Sequence, residues 1–181
     1  GQGGKGNTDL LTQLSTEYGF FFEVVEAITF NGEKIGSNRI RKLIMDGDTK
    51  KAESFLGRPY AIEGMVTHGD GRGKGLGFPT VNLKTDYELI PKDGVYVSKI
   101  EINGKMFPSV TNIGYNPTFG VNRRSIETHI LDYNGDLYGS YITLYFYEMI
   151  RGEIKFESID ALKERIGADI DIARKYFNNK R

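Results

Sequence analysis

The 181-residue chain contains no cysteine. That excludes disulfides and thiolate metal sites and agrees weakly with a reducing compartment. Only two histidines are present, His68 and His129, far apart in sequence, so a histidine-based zinc centre has little support. Charge of a single sign is lacking as well: 24 Lys and Arg balance 24 Asp and Glu. A general nucleic-acid binder usually carries a basic excess, and this balance argues against one. No apolar run approaches the roughly 20 residues of a membrane span. The opening "GQGGKGNTDLLTQL" has neither the apolar core of a signal peptide nor an initiator Met, so a fragment or a processed chain is the expectation. What is present is ample core material. Apolar residues make up 39%, with 11 Phe and 11 Tyr, enough for one domain plus an appendage.

The texture changes near Gly57. Upstream, "TDLLTQLSTEYG" predicts an amphipathic helix stopped by Gly19, with Leu10, Leu11 and Leu14 on one side. "FFFEVVEAITF" predicts a buried strand, and "NGEKI" a turn out of it. "SNRIRKLIMDGD" predicts a helix capped by Ser37 and broken at Asp46-Gly47-Asp48, and "TKKAESFLG" another ending at Gly57. This resembles the tail of an α/β domain, with too little material to cover a parallel strand on both faces. From Tyr60 onward the texture is β. "YAIEGMVT", "GVYVSKIEI", "KMFPSVTNI", "SIETHILDY" and "YITLYFYEMI" predict five strands, and "FPTVNL" a sixth. Asn103-Gly104 is a two-residue hairpin signal, and Asn134-Gly135 predicts another tight reversal. Short strands with frequent turns predict a closed antiparallel barrel or a sandwich. The chain ends in a helix capped by Ser158, expected to divide at Gly167 with Asp169 capping the second piece.

"GDGRGKGLGFPTVN", residues 69–82, is the candidate chemical segment. It fits neither the P-loop pattern nor the dinucleotide fingerprint. It leads into a strand rather than a helix, so anchoring of phosphate by a helix dipole is not expected. Glycine peptides can still turn their N–H groups inward as an anion nest, and Arg72 and Lys74 add charge. A mobile solvent loop fits the composition equally well. Thr80 and Asn82, two apart on a strand, share a face and offer neutral oxygens suited to Mg²⁺ beside nucleotide phosphates. A β-strand Thr followed by a turn-capping Asn is the plainer alternative. In "SIETHILDY", Glu127 and His129 share one face, with Ile126, Thr128 and Ile130 on the other. No G-x-S-x-G context supports a hydrolase triad.

Together, "GDGRGKGLGFPTVNL", "DGVYVSKIEING", "SVTNIGYNPTF", "IETHILDYNGDLYG" and "RGEIKFESIDAL" resemble the riboflavin kinase family, in its order and spacing, over about residues 58–176. The resemblance implies a mainly β fold, a six-stranded antiparallel Greek-key barrel with a C-terminal helix, preceded by a partial α/β segment. It implies a division into residues 1–56 and 57–181. The first part resembles the end of an FMN adenylyltransferase domain, as found in bacterial bifunctional enzymes. Its "KIGSNRIRKLI" stands where that domain has a Ser-Ser-Thr-x-x-Arg-like motif, with Gly36-Ser37-Asn38 at the first three positions. The His-x-Gly-His element of that domain is missing, so FAD synthesis by this chain is not expected. For the second part the resemblance implies cytoplasmic phosphorylation of riboflavin by ATP with Mg²⁺, giving FMN. It places Gly69 and Lys74 on the nucleotide, with Arg72 and Thr80 beside them, and Tyr138 in the ATP pocket. It gives Thr80 and Asn82 to Mg²⁺ and the role of catalytic base to Glu127. Arg151 and Phe156 fall on a flap over the flavin. The partners implied are small molecules, not nucleic acid or membrane. A non-catalytic flavin- or nucleotide-binding barrel is the alternative, though it has no need of Thr80, Asn82 and Glu127 together.

Overall fold

The computed structural model describes residue 3 and residues 6–68, 72–118 and 121–179, and divides the chain into two compact units, Gly1–Ile35 and Gly36–Arg181. In the first unit, helix α1 (Thr8–Tyr18) is capped by the Asn7 side chain, which accepts from the Leu10 N–H at 2.9 Å. Gly19, in the left-handed region at φ 70°, ends it as its sequence position predicts. The buried strand predicted over "FFFEVVEAITF" does not form. Residues 20–28 have no regular structure, Phe21 is 91% exposed, and only β1 (Thr29–Phe30) pairs, with β2 (Glu33–Lys34). An apolar run becomes a strand only where neighbours accept its backbone bonds, and a two-residue pairing supplies almost none.

The second unit opens with α2 (Ser37–Asp46) and α3 (Thr49–Leu56). Ser37 is not the cap predicted for α2: Gly36 takes that position and Ser37 is already helical, with no side-chain cap bond. Asp48 caps α3, accepting from the Lys51 N–H at 3.1 Å. The packing division thus falls at Gly36, while the change in sequence texture falls near Gly57. Helix α3 buries Ala52 and Phe55, and Thr49 Oγ1 donates to the Tyr147 carbonyl at 3.0 Å.

The remaining strands are β3 (Tyr60–Thr67), β4 (Val81–Lys84), β5 (Gly94–Ile102), β6 (Lys105–Thr118), β7 (Val121–Ile130) and β8 (Tyr141–Arg151). They close an antiparallel barrel in the order β3-β4-β7-β6-β5-β8. Strands β5, β6 and β7 follow as neighbours and β8 returns beside β5, which is Greek-key connectivity. Asn103 (φ 50°) and Gly104 (φ 75°) form the two-residue turn between β5 and β6, as their sequence predicts. Asn134-Gly135 is not a tight reversal. β7 and β8 are not neighbours, and the connection between them turns instead at 131–132 and 138–139.

Alternation along the strands sends Ile62, Val66, Leu83, Ile100, Ile113, Ile126, Leu144 and Phe146 into the barrel. Four hydroxyls share that interior. Ser98 bonds Ser109 at 2.8 Å and Thr111 at 2.7 Å, and Thr111 bonds Thr128 at 2.9 Å, so each polar group is satisfied without water. A second apolar layer lies outside the wall, where Val95, Val97, Val110 and Leu131 meet Ile170 and Ala173 of helix α5 (Ile159–Asn178). Ser158 caps α5 as expected, but the helix is not divided. Gly167 is carried within it at the usual cost of about 1 kcal/mol, and Asp169 is buried rather than acting as a cap. Among the described residues no helix is long and apolar enough to cross a membrane.

Gly64 allows β3 and β4 to approach closely. A Cβ on Gly64 would lie 2.2 Å from the Lys84 carbonyl oxygen and 2.9 Å from its carbon, both backbone atoms of the paired strand. Gly64→Ala is therefore expected to destabilise the barrel by about 1–3 kcal/mol, lowering Tm by about 2–4 °C per kcal/mol. A thermal melt indistinguishable from that of the unmutated chain would contradict this reading of the β3–β4 contact.

Candidate functional site

The weakest seam of the barrel runs between β4 and β7, which pair only through Val81↔Thr128 and Asn82↔Glu127. Pro79, lacking an N–H, stops the ladder from extending further. Before it the chain forms a single helical turn, α4 (Arg72–Leu76), where the sequence predicted a loop without helix. Helix propensity disfavours glycine there, but the Phe78 N–H bonds back to the Gly73 carbonyl at 2.8 Å and closes the turn. A Cβ on Gly73 would lie 2.4 Å from the Phe78 carbonyl oxygen and 3.0 Å from Thr80 Oγ1. One reason for glycine in this loop is thus internal. The loop folds back on the residues that lead into β4 and sets the Thr80 hydroxyl.

Val81 packs toward the core, so Thr80 and Asn82 take the outer face, as their spacing predicts. The register puts Glu127 level with Asn82 on one side and with Asn112 of β6 on the other. Glu127 Oε1 accepts from Ser125 Oγ at 3.4 Å. Ile126, Thr128 and Ile130 are buried while Glu127 and His129 are not, again as alternation predicts. His129 Nδ1 lies 2.8 Å from the Pro79 carbonyl. A carbonyl can only accept, so Nδ1 carries the proton, and the imidazole ties β7 to the segment holding Thr80.

Two cavities flank this seam. The first, about 350 Å³, lies outside the barrel wall and beneath α5, bordered by Glu127, His129, Asn112, Thr80, Arg151 and Phe156. Its other walls include Phe78, Val95, Val110 and Ile166, an apolar lining with a few polar groups. The second, about 460 Å³, opens at the barrel mouth and is bordered by Thr80, Asn82, His68 and Tyr138. There the His68 and Tyr138 rings stack, with centroids 3.5 Å apart and planes 23° from parallel. Thr80 borders both cavities.

The structure thus sorts the sequence-predicted residues into two groups joined at Thr80. Glu127, Arg151 and Phe156 line one cavity, and Asn82 and Tyr138 the other. Gly69 lies outside the described residues, as do the side chains of Arg72 and Lys74, although the backbones of those two belong to α4. Sequence reasoning missed Asn112, His68, Glu153 and Asp169. Strand alternation could have put Asn112 on the outer face, but its place beside Glu127 needs the β6–β7 register. Glu153 enters through a missing side chain: a Cβ on Gly114 would sit 2.2 Å from Glu153 Oε1.

The riboflavin kinase family model matches residues 56–177. The bifunctional riboflavin kinase/FMN adenylyltransferase of Bacillus subtilis is 44% identical over 163 residues, covering 87% of this chain and 51% of that protein. The Escherichia coli K12 protein of the same description is 39% identical over 178 residues, 98% of this chain and 57% of its own length. The chain therefore spans about half the length of the curated relatives it matches. A solved structure described as a macrolide-efflux protein from Streptococcus pneumoniae superposes with a TM-score of 0.77 at 38% identity, covering 83% of this chain and 50% of that one. The family match takes in the whole barrel, the β4–β7 seam and nearly all of α5, and on that ground the chain belongs to the riboflavin kinase family.

Proposed function

We propose that this chain is an ATP:riboflavin 5′-phosphotransferase, acting in the cytoplasm on small-molecule substrates. The observation that carries the reading is Thr80, shared by a cavity that holds Glu127 and a cavity that holds Asn82 and Tyr138. A phosphoryl transfer needs such a junction, because acceptor and donor must meet in line. The apolar cavity under α5 takes the isoalloxazine ring, with Arg151 and Phe156 at its edge. The mouth cavity takes ATP, with Tyr138 beside it and Gly69, Arg72 and Lys74 along its phosphates.

The donor set suits Mg²⁺. Thr80 and Asn82 supply neutral oxygens, and among the described residues no group of three or more His, Asp or Glu side chains could hold a metal. A site with few protein charges matches a Mg²⁺ that arrives with nucleotide phosphates. When bound, the ion offsets charge on the transferring phosphoryl group. In the reaction, the Glu127 carboxylate takes the proton from the ribityl 5′-hydroxyl. The freed oxygen bonds the γ-phosphorus as the bond to the bridging β–γ oxygen breaks, leaving FMN and ADP. His129, held by the Pro79 carbonyl, keeps Thr80 in place.

Residues 1–56 are read as the end of an adenylyltransferase-like domain. The two histidines of the sequence, His68 and His129, both lie outside that part, so residues 1–56 hold no His-x-Gly-His element. Incubation with riboflavin, ATP and Mg²⁺, followed by chromatography of the flavins, is expected to give FMN and no FAD. FAD formed by the pure chain would contradict the assignment of residues 1–56. Riboflavin retained without FMN would make the barrel a binding module.

A further inference from the structure

Asp169 sits in the middle of α5 with 2% of its surface exposed. A carboxylate so buried is costly unless it is paired. Arg151 reaches it from the end of β8, with Nε and Nη2 each 2.9 Å from Oδ2. Arg165, one helical turn earlier, brings Nε to 3.1 Å from Oδ1. Removing one partner of a buried ion pair leaves an uncompensated buried charge, so the Asp169 carboxylate constrains where the guanidinium of Arg151 sits.

Here the thing held is the guanidinium of Arg151. Its Nη1 donates to the Gly152 carbonyl at 3.1 Å, and its Cζ stands 5.7 Å from the centroid of Phe156. A chain of contacts therefore runs from α5 through Asp169 to Arg151, and from there to the Phe156 ring. Arg151, Phe156 and Asp169 all border the cavity that also holds Glu127. Without the carboxylate, Arg151 would be a nearly buried cation free to turn into that cavity, and Phe156 would lose the flat cation beneath it. We propose that Asp169 is a positioning residue for riboflavin. By fixing Arg151 it sets Phe156 as one wall of the isoalloxazine slot and keeps an unpaired cation out of it. The inference rests on the riboflavin kinase reading for the identity of the ligand.

The test uses the full chain and reads riboflavin Kd by flavin fluorescence quenching, KM for each substrate, and the single-turnover rate of FMN formation. Asp169→Asn is expected to raise riboflavin Kd and KM by about tenfold or more, with KM for ATP and the single-turnover rate at saturating riboflavin little changed. Arg151→Lys keeps the charge and the ion pair but removes the planar fork, and it should weaken riboflavin binding in the same way. If Asp169→Asn does not fold by circular dichroism, Asp169→Glu, which keeps the carboxylate but displaces it from Arg151, takes its place, and an unchanged riboflavin Kd in that variant overturns the proposal. Combining Arg151→Lys with Phe156→Leu should weaken binding by less than the product of the two single effects, because they remove the same wall. Riboflavin affinity like that of the unmutated chain in Arg151→Lys, equal losses for ATP and riboflavin, or strictly multiplicative effects would each overturn the proposal. A native chain that binds riboflavin yet forms no FMN sinks the kinase reading, and the Kd series still decides the role of Asp169. A native chain that binds no riboflavin sinks both.

Discussion

Glu127→Gln is expected to slow FMN formation by about 10²–10⁴-fold, the usual worth of a general base in proton transfer. The amide keeps the size of the side chain and can still accept from Ser125 Oγ, which lies 3.4 Å from Glu127 Oε1. What it loses is basicity. ATP and riboflavin should bind nearly as before, since the missing interaction belongs to the transition state. His129, on the same strand face, is the competing base. Its Nδ1–H donates to the Pro79 carbonyl at 2.8 Å, which leaves Nε2 as the basic nitrogen, and removal of the ring loosens the segment that carries Thr80. If Glu127 is the base, His129→Gln acts through position alone and should cost less than Glu127→Gln. Single-turnover FMN formation by both variants, with folding checked by circular dichroism, makes the comparison. A larger loss from His129→Gln, or less than about a tenfold loss from Glu127→Gln, would move the base role off Glu127.

Asn82→Ala is expected to lower turnover by about 10–10²-fold at limiting Mg²⁺, with recovery as the ion is raised. Riboflavin affinity should hold, because Asn82 borders the mouth cavity and not the cavity under α5. Thr80→Ala should show the same Mg²⁺ dependence. Thr80 also borders the cavity under α5, so if the flavin occupies that cavity a modest loss of riboflavin affinity is expected beside it. Thr80→Ser keeps the hydroxyl and serves as the control. Turnover by Asn82→Ala that matches the unmutated chain across a Mg²⁺ titration would remove Asn82 from the metal site.

Much of the barrel was legible because strand alternation is a local property. Ile126, Thr128 and Ile130 had to share one face, and Glu127 and His129 the other, whatever the sheet did next. The Asn103-Gly104 turn was legible for the same reason, since left-handed backbone at two adjacent positions selects those residues. The strand predicted over residues 20–30 failed because pairing is not local. Phe20, Phe21 and Phe22 are strand formers without a partner edge, and intrinsic preference cannot supply one. Asn134-Gly135 failed likewise: the signal presumes that the flanking strands are neighbours, and β8 went to β5 and β3 instead.

By itself the sequence determined donor type and side-chain parity: Thr80 and Asn82 two apart after the glycine loop, and Glu127 beside His129 on one β face. Residue type and spacing fix donor chemistry and side-chain parity, and both are set by a few adjacent peptides. Only the tertiary structure decided that Asn82 and Asn112 flank Glu127, that Thr80 stands between two cavities, and that Asp169 holds Arg151 beside Phe156. Each of these joins strands or a helix distant in sequence. Register and closure of the barrel set such meetings, and they follow from the packing of the whole sheet rather than from any one stretch of it.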